Sequence, residues 1–472
     1  MKTTVFLALL FTLFSSPKAW AQPCWPDGVQ LYSQYDVDHL KSVSQGCTSV
    51  AGSVTLNGTN IVNLDSLDWI TGIDGNLWIN MNPELVSLQG LNNLTGISGL
   101  VLIRDNAVLA NLTGLNNLLT IGGSLLVNEN PQLLNLDGLN GLTDIGADLS
   151  IGNNPSLLNV DALGSLTTVG QTVNIGADSS LVSLSGLDNL TTVGRDIYIS
   201  EMGHLLNLDG INQLEKIPGT LWISYCNQLS SISGFQNLDT IGGALVCIAN
   251  IALTHFNGMI NPVAVGDSVL ISGCFALTEM GDLHQPAAIK SLTIAGTSLN
   301  NLDFLQPTLS VERDLNISSN ELLTELSGFS LLETVGNNFW IAGNRLENLD
   351  NLHQLKKVGG ALIIRENVLT SLSALQNLDS IGTTLELNVC LQLHDLKGLD
   401  SIKSLGGDLR LLGLESLSSL TGLENIGSIG GTLEVGPGNF QLLNFSGLDS
   451  LKSVGKNVTI YGNPVLTSLN GL

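Results

Sequence analysis

Positive charge is scarce in this chain: 17 Lys and Arg stand against 41 Asp and Glu in 472 residues, a formal net charge of −24. Phosphate binding needs clustered cations, so nucleic acid and anionic membrane surfaces are poor partners. Charge of either sign is sparse, at 12% of residues, while 43% are hydrophobic. Such a composition excludes intrinsic disorder, which combines low hydrophobicity with high net charge. Long apolar runs are missing as well. Past residue 21 no stretch approaches the ~18 unbroken apolar residues that a membrane-spanning helix requires. The chain is also too long for one ordinary compact core, so several domains or a solenoid is expected.

The start of the chain is different in kind. Lys2, the apolar "VFLALLFTLF" and the small-x-small Ala19-Trp20-Ala21 make residues 1–21 a secretory signal. The mature chain is therefore expected to be exported, to the cell surface or the medium.

What fills the rest is a repeat, the first thing to look for in a long chain. In the recurring string "LxxLxGL", the residue before the last apolar letter falls at Ser66, Gly90, Gly114, Gly138, Ala162, Gly186, Gly210, Gly234, Gly258 and Asp282, every step 24. It continues at Asp303, Gly328, Asn351, Ala374, Gly398, Gly422, Gly447 and Gly471, with steps of 21 to 25. Taking that residue as position 0, the coil from Gly114 has apolar letters at Leu115, Leu118, Ile121, Leu125, Val127, Leu133 and Leu136. The alternation Leu125-Leu126-Val127 is that of a strand with positions 11 and 13 on one face. Gly114, Gly122-Gly123 and Asn130-Pro131 punctuate the coil near its thirds, which suits corners. Three short sides and three corners close a coil, and stacked coils bury what one coil cannot. The predicted fold is an all-β, right-handed parallel β-solenoid of about 24 residues per coil, a rod on the order of 80 Å long at ~4.8 Å per rung. Residues 51–472 are assigned to it and residues 22–50 to a small N-terminal cap; the last letters, "LTSLNGL", stop in mid-coil, so either the sequence is a fragment or its last coil is expected to be covered by something else.

Position 16 is Asn at Asn82, Asn106, Asn130, Asn154, Asn250, Asn344, Asn367 and Asn463, and Cys at Cys226, Cys274 and Cys390. Both fit a corner where a small side chain hydrogen-bonds the turn, so the two letters are read as one ladder.

The coil "LLTIGGSLLVNENPQLLNLDGL" (118–139) resembles the receptor L-domain group of leucine-rich-like β-helices. Within it the chain is similar to long secreted repeat proteins of Bacteroidetes, whose Cys-flanked lead-in is matched by "CWPDGVQLYSQYDVDHLKSVSQGCTSVAGSVTLNG" (24–58). The resemblance covers nearly the whole mature chain and implies a fold; no shared catalytic residue comes with it.

Cys24 and Cys47 flank the lead-in. In an exported chain a disulfide is favoured over a metal pair and would contribute about 3 kcal/mol by loop closure. Ser33-x-x-Asp36 ahead of "VDHLKSV" resembles a capping box, so a short helix is expected over the first coil. Cys226 and Cys274 lie two rungs apart, beyond disulfide reach at ~9.6 Å. Together with Cys247, an inward position, and the remote Cys390, they are read as buried free thiols.

Catalysis finds little support. The six His fall at different coil positions, and no serine or cysteine is set beside a base. Asp105, Glu129, Glu201 and Glu366 share position 15 but lie coils apart, and Arg104 and Arg365 at position 14 are isolated. No calcium-binding GGxGxD loop recurs. Neither cofactor nor metal is expected. Seven Asn-x-Ser/Thr triplets occur, which the repeat consensus itself generates.

Position 12 points outward between inward neighbours. It carries Trp78, Leu102, Leu126, Tyr198, Trp222, Val246, Leu270, Trp340 and Ile363. Tyr198, Trp222, Val246 and Leu270, on consecutive coils, are expected to form one apolar strip bordered by Tyr225. Aromatics on an open sheet suit sugar stacking or a protein partner, although strand propensity alone also favours them. The expectation is a non-enzymatic, exported repeat protein that presents a long sheet face to a glycan or protein in surface recognition or adhesion. The alternatives are an envelope rod without a ligand, or a glycan-active enzyme.

Overall fold

The computed structural model describes residues 22–256, 263–281, 288–305 and 308–472. The signal segment, Gly258, Asp282 and His284 lie outside the described residues.

The chain winds into a parallel β-solenoid of about 17 turns with about 24 residues per turn. Each coil gives two strands, as in the short Thr120–Ile121 and the longer Leu125–Asn128. The longer strands form one ladder from Val29–Leu31 to Val458–Ile460. Each pairs in parallel and in register with its counterparts one coil before and after, so Leu126 faces Leu102 on one side and Ser150 on the other. Among the described residues the short strands form sheets of eight, three and eight. The first break falls at Pro218. In neighbouring coils the equivalent N–H, that of Gly194 or Gly242, donates to the coil before, and proline has none to give.

The core follows from the spacing of apolar letters. Leu115, Leu118, Ile121, Leu125, Val127, Leu133 and Leu136 are all inside, in one cluster that runs from Val29 to Leu448. Burying each such side chain contributes roughly 1.5–3 kcal/mol. Position 0 shows why Gly recurs there: Gly114 has φ +124°, and a Cβ would lie 2.0 Å from the Leu88 carbonyl oxygen. Where that place holds Ser66, Ala162, Asn351 or Ala374 the corner is a 3₁₀ turn, as it also is at Gly186, Gly234 and Gly328. One expectation is corrected. The turn Asp303–Leu305 is centred on Phe304, so the repeat's position 0 in that coil is Phe304 and not Asp303.

The lead-in is more solenoidal than its sequence suggested. Gln22–Cys24 pairs with Cys47–Val50, and Val29–Leu31 with Val54–Leu56, so it joins both ladders as a first rung. A Cys24–Cys47 disulfide links neighbouring rungs, Cα atoms 5.8 Å apart. The helix Gln34–Val43 takes the place of a coil side. Ser33 Oγ accepts the Asp36 N–H, and the helix buries Val37 and Leu40. Lys41 holds Asp68 at 2.7 Å, which ties the helix to the 3₁₀ turn that follows in the next coil.

Candidate functional site

The longer strands set position 12 on the outer face of their sheet, where register fixes which residues are neighbours. Tyr198 and Trp222 are adjacent rungs, with ring centroids 6.3 Å apart and planes tilted by 42°. The Trp222 Nε1–H donates to Ser224 Oγ at 2.8 Å, which fixes the indole. Tyr225 projects beside them, 55% exposed. Val246 and Leu270 follow in register, but Val246 is only 5% exposed and adds little to an open strip. Trp78 and Trp340 stand on the same row, each five rungs from this group, beside Leu102 and Ile363 respectively. The row therefore brings Tyr198, Trp222 and Tyr225 together and leaves Trp78 and Trp340 apart.

Between Leu126 and Tyr198 the row drops to Ser150 and Asn174, and position 14 drops to Gly152 and Gly176. Small side chains on two successive coils cut a notch. Two adjoining concavities of about 600 and 670 Å³ share Leu126, Ser150, Asn174, Ser200 and Glu201 in their walls. Tyr198, Trp222 and Tyr225 wall one end; Leu102, Arg104 and Glu129 wall the other. Arg104 contacts Glu129 at 2.8 Å and Asp105 at 3.2 Å, and the hydrogen bond to Glu129 raises the already high guanidinium pKa. The notch thus joins aromatic faces to hydroxyl, amide and carboxylate groups. The sequence carried its signal as an interruption, Ser and Asn at position 12 with Gly at position 14, which a search for apolar letters passes over. No His or Cys lines it. Among the described residues no three His, Cys, Asp or Glu are grouped to hold a metal ion.

Position 16 forms a buried ladder behind one edge of the notch. Asn130 accepts the Asn106 N–H at 3.1 Å and donates through Nδ2 to Ile103 O and Asn128 O, both at 3.0 Å. Asn82, Asn106 and Asn154 repeat the arrangement. Asn250, Asn344, Asn367 and Asn463 each donate to a carbonyl one coil back. Cys226, Cys274 and Cys390 direct Sγ at the same two kinds of carbonyl. Burial pushes the Cys226 and Cys390 thiols up to about 11. The ladder also runs through Asp178, Thr297, Asn320 and Asn439, which the search for Asn or Cys at fixed spacing missed. Cys247 meets Cys274 of the next coil, with sulfurs 3.5 Å apart, a pairing that rung counting between equivalent positions overlooked.

The residue before the ladder carries a second regularity. Met81, Asp105, Glu129, Asn153, Ala177, Glu201, Tyr225, Ala249, Ser319, Glu366 and Val389 all have φ between 51° and 58°. The left-handed region disfavours such side chains by roughly 1–2 kcal/mol each. The turn is over-determined by the N–H at this position, which bonds the coil ahead: Glu129 to Gly152 O at 3.1 Å, Val389 to Leu412 O at 2.9 Å.

Residues 46–138 match the family model of the receptor L domain. Among solved structures the chain is similar to that of TLR13 in its complex with ssRNA13, at 14% identity over 92% of this chain and 73% of that one, TM-score 0.30. It is also similar to a leucine-rich repeat protein from Bacteroides ovatus, at 13% identity over 80% of this chain and 91% of that one, TM-score 0.22. No curated protein matches it. The matched coils and their continuation to the end of the solenoid make this a receptor L-domain-like, leucine-rich-like repeat protein. Such solenoids are generally ligand-binding scaffolds without catalysis. Among the described residues no helix is long and apolar enough to cross a membrane.

Proposed function

We propose that this is an exported, non-catalytic recognition or adhesion protein that holds its ligand in the notch of the long sheet. The notch itself carries the reading: an aromatic wall of Tyr198, Trp222 and Tyr225 stands against a floor of Ser150, Asn174 and Ser200. A concave site with apolar faces and a few convergent polar groups is the usual form of a ligand pocket. Aromatic faces beside hydroxyl and amide groups suit the apolar face and hydroxyl rim of a sugar ring, so a glycan is the first ligand to test and a protein the second. The net charge of −24 disfavours a polyanionic ligand. Export is supported by the leader-like first 21 residues and by the Cys24–Cys47 disulfide, a bond that persists in oxidising compartments.

The test is binding to glycan arrays and to surface protein extracts by the parent and by Tyr198→Ser/Trp222→Ser. The variant keeps the core, so its melting temperature should stay within a few degrees of the parent while binding falls about tenfold or more, in the range of a lost anchor residue. Equal binding by both forms would move the ligand elsewhere, and collapse of the fold would make the strip a structural feature of a rod.

A further inference from the structure

We propose that Asp178 is carried in the folded coil as a neutral carboxylic acid, a proton-dependent rung that makes the corner beneath the notch sensitive to pH. The ladder's geometry leads to this. Asn154, one rung before, and Cys226, two rungs after, each send a donor to two carbonyls, one in its own coil and one in the coil before. The Met202 rung between Asp178 and Cys226 carries a thioether with no donor. Asn154 Nδ2 donates to Gly152 O at 3.2 Å and Val127 O at 2.9 Å. Cys226 Sγ lies 3.5 Å from Ser224 O and 3.9 Å from Ile199 O. The equivalent carbonyls for Asp178 are those of Gly176 and Ile151. Asp178 is fully buried, and its Oδ1 accepts the Asn154 N–H at 2.6 Å. Its Oδ2 is buried with no hydrogen-bond partner among the described residues, in the place where Asn154 and Cys226 hold a donor. An ionised Oδ2 would set negative charge towards carbonyl oxygens; a proton on it supplies the donor that Asn154 and Cys226 supply at their rungs.

Nothing nearby compensates the charge. The corner before carries Asn153, Asn154, Pro155 and Ser156, and the corner after carries Glu201, Met202, Gly203 and His204. Of these only Glu201 and His204 titrate, both exposed, and His204 Nδ1 is engaged with Ser179 O. The strand Val173–Gly176 ahead of Asp178 bears no charge. Desolvation raises the Asp178 carboxyl to about 7, against a smaller opposing effect of the Asn154 hydrogen bonds. Gly176 and Ala177, in the same corner, line the notch, so the rung and the candidate site share a turn.

Because folding raises this acid's pKa, its contribution to stability is fully present below about pH 4, falls as the unfolded chain ionises, and is gone once pH passes about 7. Asp178→Asn restores the ladder's commonest donor and should fold. Urea unfolding of parent and variant between about pH 4 and pH 9 reads the effect. The ratio of the variant's folding constant to the parent's should rise up to about tenfold per pH unit until about pH 7 and then level off. A ratio independent of pH would overturn the proposal. Infrared difference spectra give a second reading: a protonated-carboxyl band that titrates near neutrality and is lost in Asp178→Asn. A band that has vanished by about pH 5 would overturn it even if the variant proved unstable.

Discussion

Asn130 shows what one side chain does in this architecture. Its amide satisfies the buried Asn106 N–H and Ile103 carbonyl and the part-buried Asn128 carbonyl. Asn130→Ala leaves the buried Asn106 N–H unpaired and takes one donor from each carbonyl, and should cost about 1–3 kcal/mol in urea unfolding, the range for a buried orphan. Val389 marks the opposite case, a β-branched residue at φ 54°. Val389→Asn puts a residue tolerant of that region in its place and should stabilise the protein by about 1 kcal/mol, seen as a higher urea midpoint with an unchanged slope. The ladder letters were legible in the sequence because Asn and Cys recur at one spacing. The left-handed residue before them was not, since Met, Glu, Ala, Tyr and Val carry no common signal. What holds them is a hydrogen bond to the next coil, and that exists only after stacking.

At the scale of the coil, each element is completed by its neighbours. Inward positions could be read from periodicity because burial selects Leu, Ile and Val wherever the strand or corner faces the core. The notch could not, because it arises where side chains are small on two adjacent coils, an omission that becomes a shape only in register. The lead-in was half legible: Cys24, Cys47, Ser33 and Asp36 announced a disulfide and a helix start. That the same segment adds a strand to each ladder depended on pairing with Cys47–Val50 and Val54–Leu56. Reducing Cys24–Cys47 should weaken this first rung by about 3 kcal/mol. Hydrogen exchange should quicken in Gln34–Val43 and spare coils beyond Leu77–Asn80. Exchange quickening along the entire rod would mean that the coils are not the independent units taken here.

Across the whole molecule, one filled spool leaves function to whatever departs from uniformity on its surface. The outward row of the long sheet is apolar around Trp78, polar at Ser150 and Asn174, aromatic at Tyr198 and Trp222, and charged at Glu386, Arg410 and Glu434. The charged stretch is engaged with itself: Arg365 contacts buried Glu386 at 2.7 Å and Arg410 contacts Asp408 at 2.8 Å. The polar-to-aromatic step is the departure that forms a concavity with both kinds of wall. The row supplies its own controls, since Trp78 and Trp340 share the strand position of Trp222 and lie six and five rungs from it. Oxidative footprinting with the glycan or protein partner that binds best therefore tests the assignment most directly. Bound ligand should shield Tyr198, Trp222 and Tyr225 and leave the labelling of Trp78 and Trp340 unchanged. Equal shielding along the row, or shielding confined to Trp78 or Trp340, would contradict it.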